Sequence, residues 1–401
     1  MSLADNRSSI DQAVEAGLLS GAVTCVWHRG EVLQVNEIGH RDVGAGLPMR
    51  RDTIFRIASM TKPVTVAAAM ALAEEGKLEL TDPVTRWVPE LADMRVLVDP
   101  TGPLDRTVPA QRPITVDDLM THRSGLAYAF SVVGPISRAY AQVSLRQDTD
   151  DWLAEIARLP LLHQPGDLLT YSQSTEVLGI VLSRLEGKPL QTVLSERIFE
   201  PLGMLDTGFW VSPDKRERAA TMYRLDETGS LQDDAMGPVP VREPRFSQGG
   251  AGLVSTVDDY LRFARMLLAG GEVDGVRVLT EESVLSMRTD RLTDTQRRHP
   301  FLGMPFWIGR GFGLNLSVVT DPTRSARLFG PGGAGTFGWP GAYGTWWQAD
   351  PANDLILIYL IQNYPDLTSA AAAVAGNTAL AKLQSVQPKF VKGTYAGLGL
   401  L

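Results

Sequence analysis

A serine stands three residues before a lysine in the stretch Phe55-Arg56-Ile57-Ala58-Ser59-Met60-Thr61-Lys62-Pro63-Val64. Residues at positions i and i+3 share one face of a helix, so Lys62 can reach the Ser59 hydroxyl and act as its base. At the start of a helix, the backbone N–H of Ser59 is free to stabilise an oxyanion. The alternative is that Ser59 only caps the helix, because serine is a favoured N-cap residue. These ten residues alone leave both roles open.

A second serine–lysine pair with the same spacing shows that the motif is weak by itself. It lies in Ser212-Pro213-Asp214-Lys215. A serine at the N-cap, a proline at the first helical position and an aspartate in the first turn are typical of a helix start. We therefore assign Ser212 to capping.

Other catalytic patterns are missing from the sequence. The five histidines are scattered without metal-ligand spacing, and no serine lies in a Gly-x-Ser-x-Gly elbow. His122 and Ser124 stand two residues apart, which is poor geometry for a His/Ser couple. The one cysteine, Cys25, excludes an internal disulfide and lies in an apolar run typical of a buried thiol. We expect neither a metal nor a cofactor.

The composition is that of an ordinary globular protein. Of the 401 residues, 44% are hydrophobic and 21% are charged, and the formal net charge is −8. An excess of acidic residues, without runs of lysine and arginine, argues against nucleic acid as a partner. The absence of a long apolar stretch and of a secretory pattern predicts a cytoplasmic protein that does not bind membranes. Nothing in the sequence indicates the oligomeric state.

The elements that position Ser59 and Lys62 follow from periodicity and from turn residues. Helices are predicted at 8–18, 63–75, 115–121, 150–158, 174–186, 189–199, 257–268 and 367–384. Strands are predicted at 21–28, 31–39, 336–339, 343–349 and 355–362. This order predicts one antiparallel sheet built from both chain ends, 1–82 and 240–401, with a helical domain, 83–239, inserted between them.

Two further motifs follow Ser59-Met60-Thr61-Lys62 along the chain. They are Pro165-Gly166-Asp167-Leu168-Leu169-Thr170-Tyr171-Ser172-Gln173 and Trp339-Pro340-Gly341. Together the three motifs resemble the serine β-lactamase and penicillin-binding superfamily, and most closely the family VIII carboxylesterases with class C β-lactamase architecture. The resemblance runs from about residue 8 to residue 384. It implies an α/β fold of the α+β type, β-lactamase-like, with an all-helical inserted domain and the active site in the cleft between the two domains.

The resemblance also implies roles by position. Ser59 would attack the acyl carbonyl, with Lys62 and Tyr171 sharing its proton as general base and acid. The oxyanion would lie between the backbone N–H groups of Ser59 and Ala342.

The departures from the superfamily pattern favour an ester over a β-lactam. Trp339 stands where β-lactamases of this shape usually have the lysine of Lys-Thr-Gly, and with Gly341 it would line the oxyanion wall. Gln173 stands where an asparagine usually contacts a substrate amide. Both changes remove polar contacts, whereas an indole suits an apolar ester. The candidates for an acyl pocket, with core packing as the alternative for at least two of them, are Tyr128, Phe130, Trp346 and Trp347.

The sequence therefore predicts a serine carboxylesterase that hydrolyses short- to medium-chain acyl esters through an acyl-Ser59 intermediate. Alternatives within the same fold are a β-lactamase, a D-amino-acid peptidase, and an acyltransferase that passes the acyl group to an alcohol. A remote alternative is a non-catalytic binding or sensor domain.

Overall fold

The computed structural model describes residues 3–226, 228–233, 236–364 and 378–401. The strands are β1 Gly21–His28, β2 Glu31–Asp42, β3 Leu47–Pro48, β4 Phe55–Arg56, β5 Arg95–Leu97, β6 Thr107–Pro109, β7 Tyr223–Leu225, β8 Leu231–Asp233, β9 Val254–Ser255, β10 Glu272–Val273, β11 Val276–Arg277, β12 Arg310–Phe312, β13 Ser317–Val319, β14 Phe337–Gly338, β15 Trp346–Asp350 and β16 Leu355–Leu360. The α-helices are α1 Ser8–Glu15, α2 Thr61–Glu74, α3 Val116–Met120, α4 Pro135–Gln142, α5 Thr149–Ala157, α6 Ser174–Glu186, α7 Leu190–Leu194, α8 Glu200–Leu202, α9 Val257–Leu268, α10 Glu281–Arg288, α11 Asp294–Arg298, α12 Pro322–Phe329, α13 Thr378–Gln384 and α14 Val386–Gly397.

An antiparallel sheet lies at the centre of the described structure. Its eight strands run in the order β12-β13-β14-β15-β16-β1-β2-β3. β1, near the start of the chain, pairs with β16, near its end, with Val23 opposite Leu360 and His28 opposite Leu355. The prediction of one antiparallel sheet built from both chain ends is confirmed.

Both faces of the sheet are covered, which explains why β1 is apolar almost throughout. Successive side chains of a strand point to opposite faces. Val23 and Cys25 accordingly pack into one core cluster, and Ala22 and Val26 pack into the other. Burial raises the pKa of the Cys25 thiol to about 12, so this cysteine is an unreactive core residue.

Helix α2 carries Lys62 into the interior of the protein. Every residue from Thr61 to Leu72 is buried, as expected for a helix whose sequence is apolar on all sides. Pro63 is its third residue, where no backbone N–H is needed for an intrahelical hydrogen bond. The helix ends before Gly76, whose φ is +69°. Among the described residues, every helix is too short or too polar to cross a membrane.

The inserted region is mainly rather than entirely helical. It contains α3 to α8, but also the antiparallel hairpins β5–β6 and β7–β8. Each of these strands has three residues, too few for an alternating pattern to show in the sequence. The helix predicted at 189–199 is α7 followed by a π-helical turn at Ser195–Phe199.

The last helix, α14, was not predicted because it contains residues that usually interrupt helices. Pro388 is its third residue, where the missing N–H costs no hydrogen bond. Gly393 packs against Asn6, and a Cβ at this position would lie 3.1 Å from the Asn6 Cα. Of the helix predicted at 367–384, residues 378–384 form α13, and the rest lies outside the described residues.

Candidate active site

Ser59 lies in a 3-10 turn, Ala58–Met60, that connects β4 to α2. Ala58 has a φ of +45°, a left-handed value that costs a non-glycine residue about 1–2 kcal/mol. The turn is held in this shape by its surroundings, including the 3.0 Å hydrogen bond from the Ile57 N–H to the Leu253 carbonyl. Ser59 is not the cap of α2, because the N-cap residue is Met60. The Ser59 side chain is partly exposed.

The Ser59 hydroxyl contacts the two groups predicted to share its proton. The Tyr171 hydroxyl donates to Ser59 Oγ at 2.7 Å, and Lys62 Nζ donates to the same atom at 3.2 Å. Lys62 is fully buried and Tyr171 is 7% exposed. The structure therefore brings together three residues that lie up to 112 positions apart in the sequence.

The Lys62 ammonium donates to three oxygen atoms. Besides Ser59 Oγ, the acceptors are the Gly250 carbonyl at 2.7 Å and the Tyr128 hydroxyl at 3.1 Å. An ammonium has three N–H donors, so each one has a partner. This arrangement offsets much of the cost of burying the charge and holds Nζ beside Ser59.

Tyr128 connects Lys62 to a buried carboxylate. Its hydroxyl accepts from Lys62 and donates to both carboxylate oxygens of Glu176, at 2.9 and 3.0 Å. Burial raises the pKa of Tyr128 well above its ordinary value, and the Glu176 charge raises it further. The phenol is therefore protonated and donates to Glu176. Tyr128 was predicted to line an acyl pocket, but the structure places its hydroxyl in the hydrogen-bond network behind Ser59.

Glu176 is the candidate functional residue that the sequence reasoning missed. It lies on α6 and is 1% exposed. Burial raises its pKa, although the positive charge of Lys62 opposes this shift. Gly250 packs against the carboxylate, and a Cβ there would lie 2.5 Å from both of its oxygens. The signal in the sequence was one acid within Ser174–Leu182, a stretch in which every residue is buried.

An aromatic cluster fixes the Tyr171 ring. The Trp339 indole N–H donates to the Tyr171 hydroxyl at 3.1 Å, and the His122 ring lies 4.8 Å from the Tyr171 ring. Burial, assisted by the Lys62 charge, lowers the pKa of His122, so this imidazole is neutral at pH 7. Its Nδ1 lies 3.2 Å from Ser172 Oγ. His122 therefore supports the Tyr171 segment and does not form a couple with Ser124.

The turn after β14 packs against the turn that carries Ser59. Only glycine fits at position 341, because a Cβ there would collide with the Ile57 carbonyl oxygen and with the Thr345 hydroxyl. Thr345 Oγ1 also donates to the Ile57 carbonyl, at 3.2 Å. Ala342 is the next residue, and no group in the described ranges accepts a hydrogen bond from its backbone N–H. That N–H is available for a ligand.

The other predicted substrate contacts differ in accessibility. Phe130 is 46% exposed and stacks on Tyr128 with ring centres 5.0 Å apart. Trp339 is buried, with its N–H directed to Tyr171, so it acts on the substrate only through its neighbours. Gln173 is also buried, and its Oε1 has no hydrogen-bond partner in the described structure.

Trp346 and Trp347 pack against the two core clusters. Trp347 is fully buried, with its ring 5.3 Å from the Tyr260 ring. Trp346, on the opposite face of β15, packs against the second core cluster. For these two residues the structure therefore supports the core-packing alternative.

A cavity of about 260 Å³ opens beside Tyr171. Its walls are mainly apolar and include Val132, Leu162, Leu168 and Phe301. Such a space suits a short hydrocarbon chain more than a charged group.

Replacing Glu176 with glutamine should slow catalysis by about 10- to 100-fold, the range typical of a group that orients a reacting residue.

The same replacement should also change how the stability of the protein depends on pH. Because the folded state raises the pKa of Glu176, it retains this proton when the unfolded chain has lost it. The wild-type free energy of unfolding should therefore fall, relative to the variant, as pH rises above about 4.5. Urea unfolding at several pH values measures this difference.

Glu186 on the same helix is a matched control. Partial burial opposes the shift, but hydrogen bonds from Arg197 and Lys77 hold the pKa of Glu186 below its ordinary value. Relative to Glu186→Gln, the wild type should lose stability as pH falls below about 4.5. A wild-type and Glu176→Gln pair with parallel pH profiles would contradict the buried-carboxylate interpretation.

Comparison with known proteins agrees with this geometry. The chain matches the Beta-lactamase family over residues 6–395. It is 66% identical to Protein Rv1367c of Mycobacterium tuberculosis over 401 residues, which is all of both chains. It is 35% identical to Esterase EstB of Burkholderia gladioli over 373 residues, covering 87% of this chain and 88% of the relative.

A solved structure extends the likeness to the whole fold. "EstCE1, a hydrolase with promiscuous acyltransferase activity" superposes with a TM-score of 0.78 at 26% identity and covers 98% of both chains. With the β-lactamase-like sheet, the match over nearly the whole length and the esterase relative, the chain belongs to the Beta-lactamase family, as an esterase-like member of the β-lactamase-like serine hydrolases.

Proposed function

We propose that the protein is a carboxylesterase that hydrolyses short- to medium-chain acyl esters through an acyl-Ser59 intermediate. The observation that carries the proposal is the position of Ser59 Oγ. It is partly exposed and lies within hydrogen-bond distance of both the Tyr171 hydroxyl and Lys62 Nζ. A nucleophile needs a base at this distance and an open path to its substrate.

The reactive form of the Tyr171–Lys62 pair holds one proton fewer than a phenol beside an ammonium, so that the pair can act as a base. In the acylation step, Ser59 Oγ forms a bond to the ester carbonyl carbon, and its proton passes to this pair. The carbonyl electron pair moves onto oxygen, where the N–H groups of Ser59 and Ala342 stabilise the charge. When the tetrahedral intermediate collapses, the bond to the alcohol oxygen breaks. The Tyr171–Lys62 pair returns the proton to this oxygen, so the alcohol leaves neutral.

In the deacylation step, a water molecule replaces the alcohol. Its oxygen attacks the acyl carbon while the Tyr171–Lys62 pair accepts one of its protons. Collapse of the second intermediate breaks the bond to Ser59 Oγ, which recovers the proton. The products are the carboxylic acid and the free enzyme.

The hydrogen-bond network behind Ser59 holds the two proton-transferring groups, Lys62 and Tyr171, in fixed positions. Lys62 is held by Gly250 and Tyr128, and Tyr128 is in turn oriented by Glu176. The Tyr171 hydroxyl is held on its other side by the Trp339 N–H. Such fixed donors require little reorganisation during the reaction, which is how enzymes lower barriers to charge transfer.

Two features favour an ester over a β-lactam. Trp339 occupies the position at which the resembled β-lactamases have a lysine, and its single N–H donates to Tyr171. The cavity beside Tyr171 is mainly apolar, so neither feature offers a cation to the carboxylate that β-lactam antibiotics carry. The name of the Burkholderia gladioli relative, an esterase, supports the same choice.

The deciding experiment compares p-nitrophenyl esters, from acetate to decanoate, with nitrocefin. We expect kcat/KM for the acetate or butyrate ester to exceed that for nitrocefin by at least about 100-fold. A lost charge-assisted hydrogen bond alone accounts for about 1.5–3 kcal/mol, or about 10- to 150-fold. Burying the unpaired carboxylate in the mainly apolar cavity beside Tyr171 adds to this cost. Equal turnover of nitrocefin and ester by the unmodified protein would reject the assignment.

Trp339→Lys is the matched variant for this comparison. It supplies a cation but removes the N–H that holds the Tyr171 hydroxyl. The ratio of ester to nitrocefin turnover should therefore fall, mainly through slower ester hydrolysis. An unchanged ester rate would show that the Trp339 N–H does not support Tyr171.

An acyltransferase is the second candidate, because the structural neighbour EstCE1 is described as a hydrolase with promiscuous acyltransferase activity. In that reaction an alcohol, and not water, attacks acyl-Ser59. Adding a short alcohol to the ester assay should then form a new ester at the expense of the acid. Chromatography of the two products measures their ratio.

A further inference from the structure

A second cavity lies beside β14. Its volume is about 160 Å³, and Gly338 and Pro340 form part of its wall. Trp339, between them, donates its indole N–H to Tyr171. No described residue lines both this cavity and the cavity beside Tyr171, so the two cavities are separate.

Arg310 places a positive charge in this cavity without a counter-ion. Its Nε donates to Ser325 Oγ at 3.0 Å, and the guanidinium stacks on Phe329, 4.3 Å from the ring centre. Within the described ranges, no carboxylate pairs with Arg310, and its two terminal nitrogens have no hydrogen-bond partner. Burial lowers the pKa of Arg310 to about 10, so the group remains charged at pH 7.

A buried hydroxyl faces the same cavity. Ser317 is 4% exposed and lines the cavity, and its Oγ has no hydrogen-bond partner in the part of the chain that the structure describes. In the register of β12 and β13, Arg310 stands opposite Val319, and Ser317 lies two residues before Val319. The side chains of Arg310, Ser317 and Val319 therefore share one face of the sheet.

The remaining lining combines the polar residues Thr336, Gln348 and Gln387 with apolar walls. The apolar walls include Phe306, Val319, Leu328, Phe329 and Trp346. A cation and a free hydroxyl at one end suit an anion, because charged hydrogen bonds to a guanidinium are strong. The apolar walls suit a hydrocarbon chain, and the volume of about 160 Å³ limits the chain to a short one.

We propose that this cavity is a second binding site, which takes a short-chain carboxylate with its charged group on Arg310 and Ser317 and its alkyl chain against the aromatic walls. The acid that an esterase releases has this chemistry, but the site itself does not depend on the esterase proposal. The unpaired guanidinium and the unpartnered hydroxyl would exist whatever reaction Ser59 performs.

The test is calorimetric titration of the full chain with butyrate, run beside butyramide as a neutral isostere. We expect butyrate to bind and butyramide to bind at least about 10-fold more weakly, the loss expected for a charge-assisted hydrogen bond. Arg310→Gln should weaken butyrate binding by about 10- to 150-fold. Arg327→Gln, which removes an exposed arginine from α12, should leave it unchanged.

Two more titrations distinguish this cavity from the ester site and from a site that binds any small anion. Ser59→Ala should retain butyrate binding, whereas binding that disappears with Ser59 would place the acid in the ester site and overturn the proposal. Inorganic phosphate that binds as tightly as butyrate would also overturn it, because phosphate has no alkyl chain for the aromatic walls.

A second variant covers the case in which Arg310→Gln does not fold. Ser317→Ala removes only the unpartnered hydroxyl, and we expect it to weaken butyrate binding while leaving the melting temperature of the free protein nearly unchanged. The proposal would be overturned if the wild type did not bind butyrate. It would also be overturned if Arg310→Gln could not be prepared and Ser317→Ala bound butyrate as tightly as the wild type.

Discussion

Replacing Ser59 with alanine should abolish ester hydrolysis and leave the fold intact. Removing a nucleophilic serine typically lowers kcat by about 10⁶-fold, because the covalent intermediate can no longer form. The fold should survive because Ser59 is partly exposed and does not cap α2. Lys62 also keeps its hydrogen bonds to Gly250 and Tyr128. Ester turnover and thermal unfolding of the purified variant measure the two outcomes.

The second serine–lysine pair provides the control for this prediction. Lys215 does not serve Ser212, because its Nζ donates to the Leu205 carbonyl and pairs with Asp206. Ser212→Ala should therefore retain full activity. A phosphonate inhibitor should add to one peptide, the one that contains Ser59. An adduct at Ser212 or Ser124, or turnover that survives in Ser59→Ala, would place the nucleophile elsewhere.

The parts of the fold that could be predicted are those in which one local pattern determines the element. The run that follows Lys62 is apolar on every side, so it had to be a buried helix. β1 and β16 are continuous apolar strands at opposite ends of the chain, and a buried strand of this kind needs neighbours on both sides. Pairing the two strands closes one sheet from both chain ends.

The parts that could not be predicted depend on contacts between distant positions. β12 and β13 have three residues each and are strands only because they extend an existing sheet edge. Helix α14 tolerates Pro388 and Gly393 because its first turn needs no proline N–H and because Asn6 packs closely against it. No sequence window contains this information.

The candidate site, like the fold, has contacts that the sequence could predict and contacts that it could not. Ser59 and Lys62 are one helical turn apart, so local spacing was enough to suggest their contact. The contact between Tyr128 and Glu176 spans 48 positions, and each residue alone is ordinary: an aromatic residue beside a loop and an acid near a helix start. Their role becomes visible only when Gly250 and Lys62 are placed beside them. Aromatic character alone therefore did not indicate the hydrogen bonds that the Tyr128 hydroxyl makes.

Lys62→Met and Tyr171→Phe should each lower kcat by about 100- to 10,000-fold, the range typical of lost general acid–base catalysis. Tyr171→Phe removes only the hydroxyl that contacts Ser59 and Trp339, and the ring keeps its packing against His122. Lys62→Met keeps an unbranched apolar stem and removes the ammonium. Lys215→Met is the matched control on the second serine–lysine pair and should have no effect.

The double variant tests whether Lys62 and Tyr171 act as one unit. The Tyr171 hydroxyl and Lys62 Nζ both contact Ser59 Oγ, and Lys62 Nζ lies 4.8 Å from the centre of the Tyr171 ring. In the proposed mechanism the two groups therefore share the single proton of Ser59. Groups that act as a unit show strongly non-additive effects, because the first loss already disables the step. We therefore expect kcat of the double variant to lie within about 10-fold of the slower single variant. If the two losses multiply instead, Lys62 and Tyr171 act in separate steps, and the shared-proton mechanism proposed for Ser59 is wrong.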